Sequence, residues 1–298
     1  KSYKRKINGK CYYINYNFSE SNYIDNYFTY LWYTVSNTPQ GGNAMKDTRA
    51  MAYVNMYGVL GTLENLCALD GKAKEILAGL KKPVSLCLEV KGGPCCTFHF
   101  TREGCRMTEG SDGCTCKMRF ASPEKFNDLI DHSKPGLPVK GIVQLLSFLL
   151  GPFTKLTDRL TELLRPSEEA MRERAFFEES TVLTMYTVAG AISALANNDP
   201  ISKLSASYTV DGDVSLGIRD VVKLTIRVKD HHFTTIKQPC EKPRVIMEFA
   251  DIDLAHGLFT GTASTLDEMC RGTIYLSGMI SMADNLNRIL DRVSLYLA

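Results

Sequence analysis

The sequence has no charge excess of either sign: 35 Lys and Arg stand against 33 Asp and Glu in 298 residues, a formal net charge of +2. A surface built for phosphate backbones carries a large basic excess, so nucleic acid is not an expected partner. Long hydrophobic runs are missing too. The longest apolar stretches, Ile142 to Leu150 and Leu183 to Leu195, fall short of the roughly 20 residues that a bilayer span needs. Lys1 to Lys10 holds no apolar segment of the kind that drives secretion. These absences point to a soluble, cytoplasmic protein. The signatures of catalysis are absent as well: there is no G-x-S-x-G elbow, no G-x-x-x-x-G-K-[ST] loop and no H-E-x-x-H pair. No enzymatic activity and no cofactor are expected.

Ten cysteines are present, and eight of them fall between Cys11 and Cys116. Cys114-Thr-Cys116 with Cys95-Cys96 does not have the C-x₂₋₄-C spacing of a structural zinc site, and His231-His232 has no second ligand pair at helical spacing. Reduced thiols filling core positions are the reading, with no metal. The basic cluster Lys1, Lys4, Arg5, Lys6 and Lys10 reads as a solvated arm; transient contact with an anionic membrane surface is the other use for it.

The sequence also repeats itself. Met56 to Asp70 (MYGVLGTLENLCALD) and Met185 to Asp199 (MYTVAGAISALANND) lie 129 residues apart and share Met, Tyr, Val, Gly, Leu and Asp at equal positions. Each reads as an amphipathic helix. Period-two strands follow in both halves: Val84 to Val90 and Cys96 to Thr101, then Val214 to Ile218 and Lys223 to Lys229. Met118, Phe120 and Ala121 pair with Met247, Phe249 and Ala250, again 129 residues on. A polar cap starts a short helix after each strand, at Ser122-Pro123-Glu124 or at Asp251-Ile252-Asp253. A strand at Lys140 to Val143 or Arg271 to Ile274 then leads to a last helix. Its apolar stripe is Leu149, Phe153, Leu156, Leu160 and Leu163 in one half, and Met279, Met282, Leu286, Ile289, Leu290 and Val293 in the other. The chain therefore reads as two copies of one α+β unit, residues 51–166 and 167–298, breaking near Arg165-Pro166-Ser167. Residues 1–50 form an aromatic-rich extension outside the repeat, with a strand and then a helix expected, its aromatics packed against the first copy.

The second copy resembles the sterol carrier protein 2 family. The residues that carry the resemblance are the amphipathic strand Leu224 to Val228, the charged turn Glu241 to Pro243, and the strand Val245 to Phe249. The cap Asp251 to Asp253, the loop Gly257 to Gly261 and the strand Gly272 to Gly278 complete it. The first copy is more diverged; it keeps Phe120, the Ser122-Pro123-Glu124 cap and Gly141-Ile142, but lacks a closing glycine like Gly278. The resemblance implies two tandem sterol-carrier-like modules, each a mostly antiparallel five-stranded sheet covered by helices. An apolar tunnel for a fatty acid, fatty acyl-CoA or sterol-like lipid would lie between sheet and helices. Lipid-facing residues are then Phe249, Leu254, Leu258, Phe259, Met269, Met279, Met282 and Leu286 in the second copy, and Phe120, Phe126, Leu129, Ile130, Leu145, Leu149 and Phe153 in the first.

Burying an alkyl chain gains roughly 0.8 kcal/mol per methylene, so such a site needs no conspicuous polar anchor. The same apolar stripes would equally fill a solid core. Two functions therefore stand side by side: a non-enzymatic lipid-binding or transfer protein, and a structural protein whose tunnels are filled and whose repeats pair, for instance as a homodimer. His256 reads as a surface or locally bonded histidine, and Asp251 and Asp253 as helix caps rather than paired catalytic carboxylates.

Overall fold

The computed structural model describes residues 2–7, 10–15, 46–132, 139–140 and 147–297. Strands β1 (Ser2–Ile7) and β2 (Lys10–Asn15) pair antiparallel. The rest of the aromatic extension, with the helix expected there, lies outside the described residues. So do Leu145 and all but the first residue of the strand expected at Lys140 to Val143.

Helix α1 runs over 48–69. Asp47 caps it, its carboxylate accepting from the Ala50 N–H at 2.7 Å. It is α-helical at Thr48–Tyr53 and Leu63–Leu69, with a π-helical turn at Val54–Val59 and a 3₁₀ turn at Leu60–Thr62 between them. Then come α2 (Gly71–Ala78), β3 (Val84–Val90), β4 (Cys95–Phe100), β5 (Cys105–Glu109), β6 (Cys116–Phe120), α3 (Pro123–His132) and β7 (Val139–Lys140). A π turn, Leu149–Phe153, opens into α4 (Thr154–Leu164). The second half follows with α5 (Arg174–Asn198), α6 (Pro200–Ser207), β8 (Gly212–Ile218), β9 (Val222–Lys229), β10 (His232–Ile236) and β11 (Val245–Phe249). It ends with α7 (Ile252–Phe259), α8 (Thr265–Arg271), β12 (Ile274–Gly278) and α9 (Ile280–Leu297).

The two five-stranded sheets have one topology. The order is β5-β4-β3-β6-β7 in the first and β10-β9-β8-β11-β12 in the second. Only the central pair of each, β3·β6 and β8·β11, is parallel. In the first sheet Met118 and Phe120 sit opposite Leu88 and Val90; in the second, Met247 and Phe249 sit opposite Leu216 and Ile218. The α+β architecture with mostly antiparallel sheets is as the sequence pattern required. Although both first strands contain Val-Ser-Leu, register with the parallel neighbour makes Leu86, not Val84, the counterpart of Val214. A shift of two keeps every side chain on its face, so alternation alone does not reveal it.

The halves are interlocked. Ala50 and Val54 of α1 join the core on the second sheet, and Phe176 and Leu183 of α5 join the core on the first. The π turn of α1 crosses α5 at Gly58 and Gly190: a Cβ on Gly190 would lie 2.7 Å from the Tyr57 carbonyl oxygen and 2.9 Å from the Gly58 Cα. Beside this crossing, Thr62 Oγ1 and Thr187 Oγ1 are hydrogen-bonded at 2.9 Å. Buried on nearly every side in its second half, α5 is apolar all round, which explains why its sequence carries a weaker stripe than α9.

Each half also holds one buried ion pair in the same place. Asp70 caps α2 through the Ala73 N–H at 2.7 Å, and Asp199 caps α6 through the Ser202 N–H at 2.9 Å. Arg159 of α4 reaches Asp70 at 2.9 Å and Arg292 of α9 reaches Asp199 at 2.9 Å. Burial pushes both carboxyls up, but the arginine hydrogen bonds and the cap N–H outweigh it, so both sit below the ordinary carboxylate range.

Because backbone, not a flexible side chain, fills the space at the helix crossing, Gly190→Ala is expected to cost about 1–3 kcal/mol in urea unfolding. An unchanged unfolding midpoint would show that the helices do not approach as described.

Candidate functional site

A cavity opens between sheet and helices in each half. The smaller, about 330 Å³, lies on the first sheet. The larger, about 840 Å³, lies on the second and extends to α1, α3 and residues 164–166 of the first half. Both fall in the range of small-molecule sites.

Corresponding residues build the two walls. Met118, Phe120, Leu129 and Ile130 line the smaller cavity; Met247, Phe249, Leu258 and Phe259, each 129 residues later, line the larger. The last helices contribute six corresponding positions, 133 residues apart: Thr154, Thr157, Asp158, Leu160, Thr161 and Leu164 of α4, and Asn287, Leu290, Asp291, Val293, Ser294 and Leu297 of α9, which adds Tyr296. The ion pairs explain this constancy, because Arg159 and Arg292 share the spacing of 133 and fix the rotation of each last helix.

Of the residues expected to face a lipid, Phe120, Phe126, Leu129, Ile130, Leu149 and Phe153 all line the smaller cavity. Leu145 lies outside the described residues. Phe249, Leu258, Phe259 and Met269 line the larger one. Leu254, Met279, Met282 and Leu286 do not. Met282 and Leu286, each 1% exposed, point to the solid core on the sheet; Leu254 packs on that core half-buried, and Met279 is 39% exposed ahead of α9. An apolar stripe three or four residues wide has an inner edge that meets the sheet and an outer edge that meets the cavity, and the sequence does not distinguish them.

The polar part of the larger cavity was not legible in the sequence. Asn55 donates to Asn127 Oδ1 at 3.0 Å, and Asn127 donates to the Thr48 carbonyl at 2.9 Å. Ser180 donates to the Leu163 carbonyl at 2.7 Å, Thr184 to that of Ser180 at 2.9 Å, and Asp131 pairs with Arg165 at 3.6 Å. Asn287 is 4% exposed, and its Oδ1 has no protein partner among the described residues. One turn on stands Asp291. It is an exposed residue at the cavity's edge; the protein near its carboxyl pushes its pKa up by desolvation, with Arg288 opposing. His256, also on the wall, packs on the Phe177 ring at 4.7 Å, and burial lowers its pKa.

Cys67, Cys87, Cys96 and Cys116 are buried. Burial first, then Cys95 3.9 Å away, raises Cys87 to about 12; burial raises Cys116 to about 11. Both are protonated at neutral pH and poor nucleophiles. Among the described residues no group of His, Cys, Asp and Glu could hold a metal ion, and no helix is long and apolar enough to cross a membrane.

Over part of its length the fold is similar to that of sterol carrier protein 2 domains. With the sterol carrier protein domain 2 of Helicoverpa armigera the chain shares 16% identity and a TM-score of 0.31, covering 37% of this chain and 87% of that one. For sterol carrier protein 2 like 2 from Aedes aegypti the figures are 20% identity, a TM-score of 0.28, and 36% and 93% of the two chains. A UbiJ-SCP2 ubiquinone synthesis protein shares 10% identity, with a TM-score of 0.30 over 38% and 93%. No family model matches the sequence, and no curated protein does.

Asp291→Asn removes a charge that the fold disfavours. Since the folded pKa lies above the ordinary 3.8, the carboxylate penalty is present at neutral pH and disappears as pH falls below 3.8. The variant is expected to melt higher than the wild type at pH 7, the difference closing near pH 3. Equal melting temperatures at pH 7 would place Asp291 in open water.

Proposed function

We propose that the protein binds an apolar, chain-like ligand reversibly in its two cavities and performs no covalent chemistry on it. The observation that carries this reading is the correspondence of the two walls: Met118, Phe120, Leu129 and Ile130 against Met247, Phe249, Leu258 and Phe259. Two solid cores descended from one ancestor have no reason to leave a gap in the same place. Two binding sites do. The halves are then tandem lipid-binding modules, and each cavity is the tunnel of its module.

The physical chemistry suits the role. Burial of alkyl groups supplies affinity in proportion to chain length, at roughly 0.8 kcal/mol per methylene, without directional contacts. Met247 and Met269 give the larger wall adaptable side chains. The ligand is a fatty acid, a fatty acyl ester or another lipid of similar bulk, and delivery involves transient contact with a membrane surface.

The competing reading, a self-associating structural protein, draws on one feature. Ile201, Leu204 and Tyr208 lie along one face of α6 and just beyond it, and are 55%, 61% and 71% exposed.

Native mass spectrometry of the purified chain separates the two. The lipid-binding reading predicts a monomer carrying one or two small adducts that organic extraction releases as lipid. A clean mass with no uptake of a fluorescent fatty acid would contradict it, and a dimeric mass without adducts would favour the structural alternative.

A further inference from the structure

The two cavities share part of their wall. Val59, Leu164 and Arg165 line both of them. The sharing is one-sided. Val188 and Leu297 correspond to Val59 and Leu164, 129 and 133 residues later, and line the larger cavity alone. The larger cavity reaches across to the first half, so the first half's rim has its own cavity on one side and the larger one on the other. Where one side chain lines two cavities, only the thickness of that side chain separates them. Val59 ends the π turn next to Gly58, whose contact with Gly190 fixes the approach of the two halves. The fold therefore sets the distance between the cavities.

The third shared residue differs in kind from the two apolar ones. The Arg165 side chain is 60% exposed, and it pairs at 3.6 Å with Asp131, whose side chain is 42% exposed. An exposed pair of this kind contributes little energy and rearranges readily. Two apolar cavities thus meet beside a polar, water-accessible place. That combination matches a lipid with two chains on one polar backbone: the chains leave water in different cavities, and the backbone between them stays hydrated.

Resting on the lipid-binding reading, we infer that the two cavities act as one site for a two-chain lipid, with one acyl chain in each and the ester-bearing backbone beside Arg165. The entry of one chain makes the entry of the other intramolecular, and a fixed spacing keeps that advantage. The duplicated modules then hold a single ligand between them.

The test compares 1-monodecanoylglycerol with 1,2-didecanoylglycerol on the delipidated full chain. Both are uncharged glycerol esters of the same acyl group, and they differ by one chain. Titration calorimetry gives the affinity and native mass spectrometry the number bound. The expected result is two monoacylglycerols per protein but one diacylglycerol, the latter roughly a hundredfold tighter. Ile130→Trp, which fills the smaller cavity, should reduce the bound monoacylglycerol to one and bring the diacylglycerol close to the monoacylglycerol affinity. The monoacylglycerol that remains shows that the variant is folded, and the wild-type counts are a test that needs no variant. Two diacylglycerols per protein, a diacylglycerol no tighter than the monoacylglycerol, or an advantage that survives Ile130→Trp would overturn the inference while leaving lipid binding standing. Failure of both glycerides and of a fluorescent fatty acid to bind would remove the lipid-binding reading itself.

Discussion

Each half of this protein is organised around a buried aspartate that does two things at once. Asp70 and Asp199 end one helix, start the next by capping it, and hold the arginine of the last helix, Arg159 or Arg292, on their remaining oxygen capacity. In the second half Tyr296 donates to the same carboxylate at 2.8 Å and accepts from the Asp47 N–H at 2.7 Å, which ties the start of α1 to the end of α9. A buried ion pair contributes little net stability by itself, because desolvation offsets attraction. Its contribution is geometric: with cap, arginine and hydroxyl all satisfied, the last helix has one rotation and one height. In the second half that helix packs one edge of its stripe, Met282 and Leu286, into the core on the sheet and turns Asn287, Leu290 and Val293 to the cavity.

The second constraint is the close approach of α1 and α5. Only a residue without a Cβ fits at Gly190, and the widened turn at Val54–Val59 brings Gly58 against it. That contact lets each long helix lend side chains to the other half's core, Ala50 and Val54 one way, Phe176 and Leu183 the other. The salt bridge from Lys237 to Glu64 and the bond from Lys237 to the Gly61 carbonyl fasten the edge of the second sheet to α1. As a result the larger cavity is walled by both halves, with Asn55, Asn127 and Asp131 coming from the first.

Much of this was legible in the sequence. The constant spacing of 129 located α1 against α5 and β6 against β11, since helix and strand periods persist in a duplicated chain when identities fade. The resemblance to the sterol carrier protein 2 family singled out Phe120, Leu129 and Ile130 with Phe249, Leu258 and Phe259, which line the two cavities. What escaped depends on contacts between distant residues. The Asp70–Arg159 and Asp199–Arg292 pairs join residues 89 and 93 apart, and nothing local marks either arginine as buried. Periodicity describes α1 as a regular helix and does not show the π turn, which answers to Gly190. Met282 and Leu286 belong to the same stripe as the cavity wall, and only the distance between helix and sheet puts them in the core. Asn287 looks like the solvated side of an amphipathic helix, and only the fold shows it to be 4% exposed.

The central claim is that two corresponding cavities accept alkyl chains. Its most direct test is anomalous diffraction from crystals of the full chain grown with 16-bromo-1-hexadecanol. The account predicts bromine peaks within the two cavities, one near Leu129 and Ile130 and one near Leu258 and Phe259. Bromine found only on the outer surface, with both cavities closed by side-chain movement, would contradict it.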